Sequence, residues 1–512
     1  MLRNFLTVRL KSLRNKTSNN PLLFQLVCPP INRQLHCSSQ LNKRKTVLDS
    51  EFMSRIMSNS DNPPDSSSQP KAGTARDDRD DDVQIVKEIP RGKLEPKSGK
   101  ALYHPQNPLV RRHLEFTPLG HKYLQKGMKP ETHFTVMSYN VLAQELLHQH
   151  SYLYKQNHPD SLQWSGRFSR FIREINYLKP DILCLQEVQE DHFDSFFKTA
   201  LANMGYVGTY KQRTGDKCDG CAMFWQESKL KLLEQTTVEF YQPGVSVLDK
   251  DNIALVSRLQ LAGRQVVVAT THLVYNPKRS DIRLAQVQLL LAELDRVSHC
   301  IVEGTAQHHP VVLTGDFNLD PGSCVYHLIT SGELRYDCLS KPRLKNCSGR
   351  LSPPLGSKLV PSRLGVTDCC RHASVLTDRS DYKEGDRSVE VVNRELNMLG
   401  LYHSERRAND AKKMTKGEHQ FGTGVLKHNL HLKSAYQHRQ FNRPEATTHQ
   451  DEWMTVDYIF YSQMPEAFST RSLKLLSTWR LPTVDECNVM GAIPNFDSPS
   501  DHLPILADFL LS

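Results

Sequence analysis

No acidic side chain occurs in the first 48 residues, although 56 Asp and Glu are spread over the 512-residue chain. Nine Lys and Arg fall in that stretch, and the first acid is Asp49. The other 464 residues carry 56 basic and 56 acidic groups, so the formal charge of +9 resides in the N-terminal tail. A uniformly basic nucleic-acid coat is therefore excluded. No apolar run approaches the roughly 18 residues that a membrane-spanning helix needs, which excludes such a span. Cysteine is sparse, at 12 residues, far below the density of a disulfide scaffold, and reads as reduced thiols in an intracellular protein. Cys218-x-x-Cys221 lacks a second Cys/His pair at zinc-finger spacing, which argues against zinc. No Leu-x-x-Leu-x-Leu array recurs every ~20–29 residues, so no leucine-rich-repeat docking module is expected.

What is present divides the chain. In residues 1–48, Leu2, Phe5, Leu6, Leu10 and Leu13 would form an apolar stripe with basic flanks on a helix. This is the composition of a mitochondrial presequence, and the alternative is a basic tail that contacts RNA in a cytoplasmic or nuclear protein. Residues 49–100 are rich in Ser, Pro and acids, including Asp77-Asp78-Arg79-Asp80-Asp81-Asp82, and have too little apolar surface to offset ordering; a disordered linker is expected. Residues 101–130 form a lead-in. From 131 to 512 β-rich runs alternate with helical periodicity, interrupted at 340–425 by an aperiodic stretch that reads as an irregular insertion.

Within 131–512, strands are expected at Phe134–Ser138, Asp181–Leu185, Gln265–Thr270, Pro310–Thr314, Val456–Phe460 and Ile505–Phe509. Phe168, Phe171, Ile172, Ile175 and Leu178 recur at helical spacing, with Ser165 as the expected cap and Pro180 as the stop. A second, amphipathic helix is expected over about 281–297. His148, His150 and the histidines of 428–438 read as surface or loop residues.

Six of these strands carry a polar or acidic residue at or near an end: Asn140, Glu187, His272, Asp316 with Asn318, Asp457, and Asp501-His502. Singly, an acid at a strand end is ordinarily a cap or loop charge. Their joint occurrence in this order is informative. Met137-Ser138-Tyr139-Asn140-Val141-Leu142-Ala143, Cys184-Leu185-Gln186-Glu187-Val188, Asp219-Gly220-Cys221-Ala222, Thr271-His272-Leu273, Gln286-Val287-Gln288, Val456-Asp457-Tyr458-Ile459-Phe460-Tyr461-Ser462 and Pro499-Ser500-Asp501-His502-Leu503-Pro504 resemble the endonuclease/exonuclease/phosphatase superfamily of phosphoesterases. The closer resemblance is to its carbon-catabolite-repressor deadenylase and nocturnin family. Leu142-Ala143-Gln144-Glu145-Leu146-Leu147 and Asp451-Glu452-Trp453-Met454-Thr455-Val456-Asp457 look like the angel branch.

The resemblance implies an α/β fold: a two-layer β-sandwich flanked by helices, with DNase-I-like architecture and the site where strand termini converge. It implies a hydrolase acting on phosphoester bonds. A phosphodiester is anionic, so its hydrolysis calls for a hard cation, a base for water and a donor for the growing charge. By the resemblance, Glu187, Asn140 and Asp501 hold or support Mg²⁺, with Mn²⁺ or another divalent cation as the alternative. Asp316 positions the nucleophilic water and Asn318 fixes it. His502 donates to a phosphate oxygen, Asp457 orients His502, and His272 is a further phosphate contact.

Deadenylase relatives hold adenine between a proline and an aromatic. Pro277 matches the first, beside Asn276, but Glu452 occupies the aromatic's position and Trp453 is offset by one residue, which in a strand reverses the face. The angel branch implies instead removal of 2′,3′-cyclic phosphate, and then of the 2′/3′ monophosphate, from RNA 3′ ends of tRNA or mRNA processing intermediates. A 3′-5′ exoribonuclease or poly(A) deadenylase is the first alternative. A catalytically idle mRNA-binding adaptor is the second, and the complete set of site residues argues against it.

Overall fold

The computed structural model describes residues 112–127, 130–340, 355–356, 358–374, 420–463 and 472–512. The expected presequence, the linker and most of the 340–425 stretch lie outside the described residues.

Two sheets stack face to face. The first has seven strands, in the spatial order Leu114–Phe116, Leu473–Trp479, Ile505–Leu511, His133–Asn140, Ile182–Gln189, Asp219–Gln226 and Tyr206–Gln212. The second has six, in the order Leu432–Ser434, Asp457–Ser462, Val311–Asp316, Arg264–His272, Ile253–Leu261 and Leu230–Glu239. Each sheet has one parallel pair, His133–Asn140 with Ile182–Gln189 and Arg264–His272 with Val311–Asp316. The other neighbours in both sheets are antiparallel, as expected for this sandwich.

Strand periodicity explains why the central strands are apolar on both faces. Ile182, Cys184, Val266 and Val268 point into a core between the sheets, with Val136, Met223, Ile459 and Phe509. Their alternate neighbours Leu183 and Leu185 pack outward with Phe171 and Ile175 of helix Trp164–Leu178. On the far side Val267 and Ala269 pack outward with helix Ser280–Ser298. Fully burying such an aliphatic side chain contributes about 1.5–3 kcal/mol.

Three local expectations are corrected. Helix Trp164–Leu178 starts one residue before Ser165, and Gln163 precedes it without a side-chain cap; it ends at Lys179 in the left-handed conformation, ahead of Pro180. Helix Ser280–Ser298 is buried on nearly every side, with Glu293 and Arg296 alone half-buried. The reason is a second cover, 358–374, whose Leu359, Val360, Val366 and Cys370 join the same core. Gln288 Nε2 donates to the Thr367 carbonyl at 3.1 Å, and Arg371 reaches Asp295 at 3.1 Å. Finally, His148, His150 and His431 are exposed, but His428 and His438 are buried. His438 lies edge-on to the rings of Tyr326 and Tyr458.

Candidate active site

Strand register gathers the site. In the second sheet Asp316 lies opposite His272 on one side and Asp457 on the other. In the first sheet Asn140 lies opposite Gln186, next to Glu187. Glu187 has φ of 54° where the pairing with Asp219–Gln226 breaks register between Leu185 and Val188. That bulge turns the carboxylate out of the pleat, a common device beside active sites. Gly315 precedes Asp316 with φ of 139°, and a Cβ there would lie 2.0 Å from the Thr271 carbonyl oxygen. Only glycine lets the two strands close at this point.

The polar groups then meet across the joint between the sheets. Asn140 Nδ2 donates to Glu187 Oε1 at 2.9 Å and to Asp316 Oδ2 at 3.1 Å. Asp316 Oδ1 accepts the Asn318 backbone N–H at 2.9 Å. His502 Nδ1 is 2.8 Å from Asp457 Oδ2, and its Nε2 is 3.7 Å from Asp316 Oδ2. His272 Nε2 is 3.5 Å from the same Asp316 oxygen, and its Nδ1 is 4.0 Å from Glu187.

The electrostatics separate the two histidines. Burial works against the imidazolium of His502, but the charge and hydrogen bond of Asp457, with Asp316 and Asp501, outweigh it and push its pKa well up. His502 is a cation at neutral pH, with Nε2–H directed toward Asp316. For His272, burial and the Arg213 guanidinium outweigh the nearby Asp219 charge and push its pKa down to about 3, which favours the neutral ring. Burial raises Asp316 to about 8, with Asp457 and Glu187 adding to the rise against His502. Burial and the Asp501 charge also raise Glu187.

These raised carboxyls are what a cation site is built from. One donor atom each from Glu187, His272 and Asp316 lies within 4.8 Å of the others. His272 Nδ1 is buried without a hydrogen-bond partner. A divalent cation held at Glu187 on the edge of this cluster fits, because its charge would relieve the repulsion among the carboxylates. Asp501 stands further back: its Oδ2 accepts the Tyr154 hydroxyl at 2.8 Å.

Other expected positions lie differently. Asn318 Nδ2 donates to the Leu273 carbonyl at 3.1 Å, beside Asp316. Asn276 and Pro277 form the loop after His272. Trp453 packs in a small core with Ala446, Cys487, Ile493 and Leu503, its ring 4.9 Å from that of His449.

The buried Arg167 and the half-buried Arg213 escaped the sequence reading. Arg167, fully buried, donates to the carbonyls of Val141, Leu142 and Pro499 and to the Gln144 side chain. It thereby ties the loop after Asn140 to the loop before Asp501. Arg213 pairs with Asp219, whose carboxylate is 1% exposed. The motif Asp219-Gly220-Cys221-Ala222 marked the second of these; nothing local marked the first.

The chain matches the model of the Endonuclease/Exonuclease/phosphatase family over residues 137–502. It is 37% identical over 400 residues to human protein angel homolog 2, covering 74% of this chain and 69% of that one. It is 36% identical over 465 residues to human protein angel homolog 1, covering 82% and 69%. Among solved structures it resembles ANGEL2, a 2′,3′-cyclic phosphatase, in complex with adenosine-2′,3′-vanadate: TM-score 0.61, 34% identity, 78% of this chain and 98% of that one. The same phosphatase solved without that compound gives a TM-score of 0.62.

Proposed function

Because the chain belongs to the endonuclease/exonuclease/phosphatase family, we propose that it hydrolyses 2′,3′-cyclic phosphate at RNA 3′ ends, and the monophosphate that results. The observation that carries this is the His502–Asp457 pair at 2.8 Å facing Asp316, Asn140 and Glu187, on a chain 34% identical to a 2′,3′-cyclic phosphatase. Trp453 supports the reading from the other side: packed at 8% exposure, it offers no free face for stacking a terminal adenine, as a deadenylase would need.

The residues divide the work. Glu187 and Asn140, supported by Asp501, would hold a divalent cation, with Mg²⁺ the expected ion from the oxygen donors. That ion, when bound, supplies Lewis-acid polarisation of the phosphate. Asp316, positioned by Asn140 and the Asn318 N–H, accepts the proton of the attacking water. His502 donates from Nε2 to a non-bridging phosphate oxygen, and Asp457 stabilises its charge. Neutral His272 presents a second N–H to the phosphate. The new P–O bond forms to water as the bond to the ribose 2′ or 3′ oxygen breaks; that oxygen takes up a proton from solvent, and Asp316 returns to solvent the one it accepted. RNA processing intermediates, of tRNA or mRNA, are the substrates that carry such ends. Residues 1–48 are proposed to direct a mitochondrial pool, against a cytoplasmic or nuclear one, which a reporter fused to them tests.

The deciding experiment uses matched oligonucleotides ending in 2′,3′-cyclic phosphate or in oligo(A) with a free 3′-OH. Opening and removal of the cyclic phosphate is expected. Shortening of oligo(A) with intact cyclic ends would overturn the proposal. Glu187→Ala should abolish turnover and retain RNA binding.

A further inference from the structure

Next to the site stand two tyrosines that the chemistry does not use. Tyr275 is 58% exposed and Tyr152 is 60% exposed. Each lies close in sequence to a site residue. Tyr275 is three residues after His272. Tyr152 is two residues before Tyr154, whose buried hydroxyl donates to Asp501 at 2.8 Å.

An exposed tyrosine on a loose loop would mean little. The loop of Tyr275 is instead locked from beneath. Arg283, 2% exposed, donates to the carbonyls of Val274 and Asn276 at 2.9 Å each and to Ser280 Oγ at 2.9 Å. Gln286 Oε1 accepts the Val274 N–H at 3.1 Å; Gln286 Nε2 donates to Asn252 Oδ1, and Asn252 Nδ2 to the His272 carbonyl. One buried network thus fixes His272 and the backbone on both sides of Tyr275. The Tyr275 hydroxyl donates to Gln450 Oε1 at 2.7 Å. Gln450 follows His449, whose N–H donates to the Asp501 carbonyl at 3.1 Å. The ring is therefore tethered at its tip to the other rim of the site while most of its surface stays in water. Burial, and after it the charges of Asp451, Tyr152 and Asp501, raise the pKa of the Tyr275 hydroxyl.

A rigidly held aromatic ring open to solvent beside the site is a surface on which any base of a single-stranded nucleic acid can stack. We propose that Tyr275 forms the stacking surface for the unpaired nucleobases at the RNA 3′ end, and that Arg283 is a positioning residue for it. This rests on the RNA 3′-end reading and adds its binding determinant. Stacking tolerates any base, so the platform selects unpaired RNA ends over mononucleotides without sequence preference. Neither Asn276 nor Pro277 is required to face the base.

The test is kinetic. On a cyclic-phosphate oligonucleotide, Tyr275→Ala should raise KM about tenfold with kcat within about twofold, the loss expected for one stacked base. Tyr275→Phe, which keeps the ring and loses the tether, should recover most of that loss. On a matched oligonucleotide whose last two residues are abasic, the penalty of Tyr275→Ala should disappear. An unchanged KM in Tyr275→Ala, an equal loss in Tyr275→Phe, or a full penalty on the abasic end would each overturn the platform. Anisotropy binding of a 2′-O-methyl oligonucleotide to wild type and to Tyr275→Ala separates the two readings. Absent turnover with a tenfold binding difference removes the proposed reaction and keeps the platform.

Discussion

At the scale of single residues, the site works by giving chemically similar groups opposite states. His502 is charged because two carboxylates face it; His272 is neutral because burial and a nearby guanidinium oppose its proton. Asp457→Asn removes the charge opposite Nδ1 and leaves the shape. It should lower kcat by about 10²–10⁴-fold, the usual scale for a disabled proton donor, with urea stability nearly unchanged. The high-pH limb of the rate profile should move to lower pH, since His502 then loses its proton more easily. Arg167 makes the complementary case. Burial lowers its pKa to about 10, yet it remains charged at neutral pH and satisfies three carbonyls. Arg167→Met leaves those acceptors buried and unpaired, and should cost about 3 kcal/mol or more, read as a lower urea midpoint together with lost turnover.

At the scale of elements, the sequence exposed the strands and the candidate residues that cluster at their ends, and hid the covers. Each strand of the inner layers is a short β-branched or apolar run, and each site residue follows or opens one, so Glu187, Asp316 and Asp501-His502 could be found by position. What could not be read was contact at long separation. Arg167 meets Pro499 and Tyr154 meets Asp501 across more than 300 residues. Helix Ser280–Ser298 looked one-sided because its second cover, 358–374, sits in a stretch without periodicity. His428 looked like a loop residue because one of its partners, the Leu328 carbonyl at 2.9 Å, lies 100 residues away in the sequence. Gly315 belongs to this scale, since it sets the closeness of two strands. Gly315→Ala should push Val311–Asp316 from Arg264–His272 and cost on the order of 3 kcal/mol through overpacking and a disfavoured φ. A lowered melting temperature would check it.

At the scale of the whole molecule, two buried histidines work against the fold in acid. His428 and His438 are buried neutral, each with its pKa pushed down to about 4 by burial. The unfolded chain takes up these protons near pH 6.5 and the folded chain does not until about pH 4. The contribution of these two histidines therefore falls as pH drops through that window and levels off below it, opposed by Asp316, whose carboxyl, raised to about 8, takes up its proton earlier in the folded chain than in the unfolded one. The loss should be on the order of 2 kcal/mol per histidine by pH 5. Urea denaturation at pH 7 and pH 5 measures it, and His428→Gln should flatten the slope.

The Asn140–Asp316 hydrogen bond crosses from one sheet to the other, and His502–Asp457 joins the loop before Ile505–Leu511 to the second sheet. The apolar layer between the sheets is thus a spacer, and its thickness sets the working distances of the catalyst. A catalyst tolerates misplacement of only a fraction of an ångström, whereas a core survives considerable loosening before it melts. Warming should therefore blur the proton-transfer distances first. The temperature at which turnover peaks should fall below the melting temperature, and substitutions such as Val268→Ala, remote from any phosphate, should widen that gap.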